Sequence, residues 1–187
     1  MTGRVTDRVT GRDRKPDKKP MTKEQAAGEL KTFFLRLAIL AGLIFVIFGV
    51  VFGAAVMPDQ SMKPGIGAGD LLFLYRMENH YKSGDVIVYR TDERKRAGRI
   101  VAKGGDTVAI TEDQELEVNG SVVIENDIYF QTPMYDSDVT YPVTLAENEF
   151  FVLGDHREDA EDSRWSGPVA GDAIIGKVIT VIRRNNI

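Results

Sequence analysis

The chain has 187 residues, 43% of them hydrophobic and 28% charged, and its formal net charge is −4. That length suits one ordinary domain plus one membrane segment and excludes two large domains. Without cysteine there are no disulfides or cysteine-ligated metals, and two histidines, His80 and His156, are too few for a multi-histidine site, so no metal or other cofactor is expected.

The charge is unevenly placed. Residues 1–36 carry ten Lys/Arg against five Asp/Glu, residues 37–57 carry no charge, and residues 58–187 carry fourteen Lys/Arg against twenty-three Asp/Glu. An acidic body has no concentrated basic face, so a nucleic-acid partner is not expected. Residues 1–36 read as a basic, disordered cytoplasmic tail, with repeated Gly-Arg-Val-Thr-Asp-Arg fragments and two Lys-Pro steps in its first 22 residues. Leu37 to Met57 is an unbroken apolar run of 21 residues. As a helix it spans roughly 31 Å, close to the hydrocarbon thickness of a bilayer. Lys31 and Arg36 precede it, so the positive-inside tendency puts the tail in the cytoplasm and residues 58–187 outside. Gly53-Ala54-Ala55 could pass for a signal-peptide cleavage site, but the run exceeds the usual h-region of about 7–15 residues, which favours an uncleaved anchor.

Beyond Met57 the pattern turns strand-like. Leu71–Tyr75, Asp85–Tyr89, Arg99–Ala102, Thr107–Ile110, Glu115–Val118, Ser121–Ile124, Phe150–Leu153 and Ile174–Ile182 are short runs rich in β-branched and aromatic residues. Asn119-Gly120 predicts a type I′ hairpin turn, because both central positions need positive φ. No amphipathic helix of convincing length follows residue 60. The body is therefore expected to be mainly β, with coiled antiparallel sheets or a barrel behind one transmembrane helix.

Three segments carry the chemistry: Pro58-Asp59-Gln60-Ser61-Met62-Lys63-Pro64; Arg99-Ile100-Val101-Ala102-Lys103-Gly104-Gly105-Asp106; and Gly154-Asp155-His156-Arg157-Glu158-Asp159-Ala160-Glu161-Asp162-Ser163-Arg164, with Ile175-Gly176-Lys177 downstream. In this order, behind an N-terminal anchor, they resemble the type I signal peptidases of Gram-positive bacteria over about residues 37 to 180. The resemblance implies a serine endopeptidase. In that family a lysine kept neutral by burial takes the serine's proton. A hydroxyl two residues before the serine, with the serine's own backbone N–H, stabilises the oxyanion.

On this sequence the nucleophile position is Ser61. The position of the lysine base is Gly98, that of the oxyanion hydroxyl is Asp59, that of the serine orienting the base is Ala160, and that of the motif asparagine is His156. Arg99, Asp155, Asp162 and Arg164 match the motif, and Asp162, Arg164 and Arg99 are expected to form one charge-assisted cluster joining the second and third segments. Glycine cannot accept a proton, and an ionised Asp59 repels developing negative charge.

Substitute bases are scarce. Lys103, five positions from Gly98, falls on the opposite face of a regular strand, and only a bulge or strand break at Gly104-Gly105 would bring it round. Lys63 follows Ser61 on a proline-flanked turn, and Lys95 sits in a charged run read as a solvated loop. His156 has a reference pKa of about 6.5, suited to a general base, or it simply replaces an asparagine's hydrogen bonds. Trp165 is read as core packing, with contact at a membrane surface as the alternative. Two functions remain open. One is a catalytically degenerate family protein that binds a preprotein or pilin segment by strand addition, as signal-peptidase-like proteins of pilus assembly do. The other is an active endopeptidase with an atypical base. The oligomeric state is not legible.

Overall fold

A computed structural model describes residues 22–91, 94–125 and 127–184. The first 21 residues of the expected tail lie outside the described residues. The chain divides at Gly42/Leu43 into two units.

Helix α1 runs Lys23–Val46, so Lys23–Arg36 are helical, not disordered. Thr22 and Gln25 form a reciprocal capping box: the Gln25 amide donates to Thr22 Oγ1 at 3.4 Å, and the Thr22 amide donates to Gln25 Oε1 at 3.1 Å. Strong helix formers, Glu24, Gln25, Ala26, Ala27, Glu29 and Leu30, then carry it on. The helix continues as a π-helical turn, Ile47–Val51, and Lys23–Val51 is long and apolar enough to cross a membrane.

The far end of the apolar run is not helix. Phe52–Val56 is strand β1, paired antiparallel with β2, Leu71–Tyr75. Arg76 makes the switch: its amide donates to Val51 O at 2.9 Å and its Nη1 to Gly49 O at 2.9 Å, satisfying carbonyls left open at the helix end. The expected span of residues 37–57 is thus shifted: helix begins earlier, and its last five residues before Met57 are strand.

The remaining strands are β3 (Val86–Arg90), β4 (Lys95–Lys103), β5 (Thr107–Ile110), β6 (Leu116–Val118), β7 (Ser121–Val122), β8 (Val143–Thr144), β9 (Glu149–Leu153), β10 (Val169–Ala170) and β11 (Ile174–Ile182). A single helical turn, α2, spans Ser163–Ser166. The strands form two antiparallel sheets. One has order β1-β2-β11-β3-β4-β9-β10 and the other β7-β6-β5-β8, so the β-domain is an open, coiled half-barrel with a small satellite sheet. Lys95 opens β4 instead of sitting in a loop. Asn119 (φ 55°) and Gly120 (φ 73°) form the expected tight turn between β6 and β7.

Three apolar clusters fill the body. Met57, Met62, Ile66, Leu72, Leu74, Val88 and Ala97 pack under the Ser61 segment. Ile87, Tyr89, Ile100, Val152 and Val169 pack on the other face of β3 and β4. Val101, Ala102, Phe151 and Leu153 join the large sheet to Val108, Leu116 and Leu145 near the small one. Trp165 belongs to none. It is 57% exposed and meets Tyr135 edge-on at 6.5 Å, which corrects the core-packing expectation.

Candidate functional site

Ser61 lies on the connection between β1 and β2. Fully buried Met62 anchors this loop in the core, and the Met57 amide donates to Asp70 O while the Gly69 amide donates to Met57 O, each at 2.9 Å. Asp59 Oδ1 accepts the Ser61 amide proton at 3.0 Å, an Asx-type turn. The N–H that the family resemblance assigns to the oxyanion is therefore already bound by a carboxylate. The Ser61 hydroxyl makes no hydrogen bond to another described residue.

The third segment is drawn against this loop. The His156 amide donates to Ser61 O at 2.9 Å. A Cβ on Gly154 would lie 2.6 Å from Ser61 O and 2.4 Å from the Ala160 methyl, so only glycine admits this approach. Ala160, at the position of the base-orienting serine, is buried and supplies no polar atom. His156 is half-buried. Its ring packs tilted against Phe130, with centroids 4.7 Å apart, and its Nδ1 is buried without a partner among the described residues.

Gly98 sits in mid-β4 opposite Ile87. A Cβ there would meet Val152 Cγ1 at 2.5 Å and Leu153 O at 3.2 Å, so any side chain at this position requires Val152 to move. Lys63, Lys95 and Lys103 are all exposed. The bulge in β4 falls between Ile100 and Ala102, not at Gly104-Gly105. Lys103 is left at the strand end, its amide bound to Asp106 Oδ2 at 3.0 Å.

The expected single cluster of Arg99, Asp162 and Arg164 is instead two separate forks. Arg99 donates to both oxygens of Asp155, at 2.8 and 2.6 Å, and to Gly84 O at 3.0 Å, which fastens β4 to the third segment. The Asp155 carboxylate raises the Arg99 guanidinium's affinity for its proton. Arg164 donates to both oxygens of Asp162, at 2.9 and 2.8 Å, and Asp162 Oδ2 also accepts the Gly154 amide at 3.0 Å. Asp162 caps the amide of Arg164 as well, at 3.1 Å. The reason for two forks is the bidentate geometry of arginine, which saturates one carboxylate apiece.

Sequence reasoning missed Arg157. It is fully buried and donates to Gly154 O at 2.8 Å, Thr132 Oγ1 at 2.7 Å and Glu125 Oε1 at 2.7 Å. Its place inside the third segment was visible, but its partners lie in a stretch with no motif. Arg94 and Arg96 both pair with Glu161, next to Ala160, and hold that carboxylate below its usual range.

Beside the Ser61 loop is a cavity of about 250 Å³, lined by Ala54, Ala55, Val56, Pro58, Leu72, Val88, Lys95, Arg96 and Ala97. Small apolar side chains from β1 and Ala97 face Lys95 and Arg96 across it, and β1 forms one side as the edge strand of the large sheet. Among the described residues no cluster of His, Asp and Glu could hold a metal ion.

Comparison with known proteins agrees with these motifs. The chain is 28% identical over 135 residues to "Signal peptidase I P" of Bacillus subtilis subsp. natto, covering 65% of this chain and 71% of that one. It is 28% identical over 160 residues to "Signal peptidase I" of Bacillus licheniformis, covering 77% and 84%. It is 27% identical over 155 residues to "Inactive signal peptidase IA" of Staphylococcus aureus, covering 76% and 86%. A crystal structure of a signal peptidase I from Enterococcus faecalis aligns with TM-score 0.46 and 25% identity, covering 55% of this chain and 98% of that one. Residues 30–182 match the family described as signal peptidase, peptidase S26, so this Ser61 loop, with Gly98 in mid-β4, is set in a chain that belongs to the signal peptidase (S26) family.

Proposed function

We propose that this protein binds the cleavage region of exported preproteins at the membrane surface without cutting it. One observation carries the reading: the Asp59 carboxylate accepts the Ser61 amide proton. A tetrahedral oxyanion needs that N–H and a second donor. Here the first is occupied and the residue at the second position is itself an anion. The missing base at Gly98 and the apolar Ala160 act in the same direction. The cavity along β1 suits small side chains of an extended segment that adds to the β1 edge. In this reading the uncharged part of Lys23–Val51 that follows Arg36 anchors the chain in the bilayer, residues 1–36 are cytoplasmic and the β-domain is outside. Relatives named inactive support a degenerate member, and a pilin is one client such a protein would serve. The test uses purified full chain with a preprotein and a Ser61→Ala control. Binding without turnover is expected from both, whereas cleavage by the wild type that is lost in Ser61→Ala overturns the proposal.

One observation favours a second reading, in which His156 is the base of an active endopeptidase. His156 is bonded through its amide to Ser61 O and keeps an unpartnered ring nitrogen. Its signature is cleavage that disappears in both His156→Gln and Ser61→Ala.

A further inference from the structure

We propose that the small sheet carries a second docking groove, separate from the cavity beside β1, which takes an extended, basic and aliphatic segment of a partner polypeptide. The groove has a volume of about 520 Å³ and is walled by Val122, Ile124, Ile128 and Tyr129, with Asp113 and Glu115 on its rim. Ile124 is 85% exposed and Tyr129 77% exposed, so two large side chains that line the same groove stand in solvent. Singly they would be ordinary; lining one groove they mark a contact face. β7 is the edge of its sheet, and its outer side has no strand partner among the described residues. An edge of this kind accepts an extended chain.

Charge decides which chain. From Gly104 to His156 the sequence has twelve Asp/Glu and no Lys or Arg. Of the carboxylates in the groove, Glu125 is paired, to Arg157 at 2.7 Å; Asp113 and Glu115 make no ion pair among the described residues. An acidic rim over apolar walls selects a cationic segment with aliphatic side chains and disfavours both an acidic peptide and an anionic lipid surface. The groove is built, not incidental. Arg157 ties Glu125 and Thr132, both on its wall, to Gly154 O, and Phe130 packs against the His156 ring. The wall is thereby fixed to the segment that touches Ser61.

The experiment measures binding of a fluorescent peptide of alternating Lys and Val to the full chain in phosphatidylcholine nanodiscs, with a Glu/Val peptide as comparison. The Lys/Val peptide binds in low salt and weakens as salt rises. Asp113→Lys with Glu115→Lys, and separately Ile124→Ser with Tyr129→Ser, each weaken it roughly tenfold or more while leaving the circular dichroism unchanged. Equal binding of the Glu/Val peptide, or unchanged affinity in both double variants, overturns the proposal. So does quenching of a Tyr129→Trp indole, in a Trp165→Phe background, by brominated lipid, which would assign the exposed face to the bilayer.

Discussion

A carboxylate two residues ahead of a serine can take that serine's amide proton, and Asp59 does so at 3.0 Å. The turn is stable because the acceptor is charged and the donor needs a partner. On the proposed reading the same bond occupies the N–H an oxyanion would need, so stability of the loop and catalysis are in conflict. Restoring activity therefore takes several changes together. Asp59→Ser, Gly98→Lys and Ala160→Ser combined should yield preprotein cleavage, and the same set without the lysine should not. Gly98→Lys alone should stay inactive and lower stability by about 1–3 kcal/mol, because a Cβ there lies 2.5 Å from Val152 Cγ1. Adding Val152→Ala should return part of that loss in a denaturant titration. Tyr141 offers a separate residue-level test. Its hydroxyl is buried without a partner, and burial, reinforced by the Asp162 charge, pushes its phenol up to about 12. An unfolded tyrosine ionises near 10. The contribution is thus fully present below about pH 10 and is lost as pH climbs toward 12, where the unfolded chain releases a proton that the folded chain retains. Tyr141→Phe should flatten that alkaline loss and leave neutral-pH stability equal or up to about 1 kcal/mol higher.

Among the elements, the buried side chain of Arg157 holds together pieces that are far apart in sequence. Replacing it with leucine leaves Glu125 without its cation and Gly154 O without its donor. A loss of about 3–5 kcal/mol is expected in chemical denaturation, with faster amide exchange across residues 127–132. The Asp155–Arg99 fork has the same fastening role but is partly exposed, so Arg99→Lys should cost less. These links were the least legible part of the chain. Strands β2, β5 and β11 could be read from their residue types almost to the residue, and so could the β6–β7 turn, because alternation and Asn-Gly are local signals. β1 could not, because Phe52–Val56 continues an apolar run with no change in composition; only pairing with β2 and the Arg76 cap distinguish it. β8 and β10 have two residues each, too few for any periodicity. At the site, sequence could name the motif positions Ser61, Gly98, Asp59 and Ala160, and reading them as a lost base, orienter and donor belongs to the proposed function. What sequence could not give was how the vacated space is used, namely the Asp59–Ser61 bond, the Val152 contact at Gly98 and the split of one expected ion cluster into two.

For the whole molecule, the proposed arrangement places a basic tail on one side of a bilayer and an acidic β-domain on the other. Alkaline phosphatase fused after Ile187 should be active in intact bacteria, and one fused after Arg36 should be silent; the reverse pattern would refute the topology. The chain should also stay with the membrane fraction after carbonate extraction. A protein held this way is limited less by intrinsic affinity than by where it can search. No linker separates Val51, the last helical residue, from Phe52, the first of β1. Ala54–Val56, on the cavity wall, lie at most five residues past the helix, a reach of roughly 17 Å in extended chain. With the helix in a bilayer, the cavity samples only a thin layer above the lipid, and its encounters become two-dimensional. On the proposed function, a client still tethered by its own apolar segment would enter that layer at an effective concentration on the order of millimolar, so weak contacts would suffice to hold it. Once cut free by another enzyme and released into bulk solvent, the same segment would leave, and release would need no conformational change in this protein.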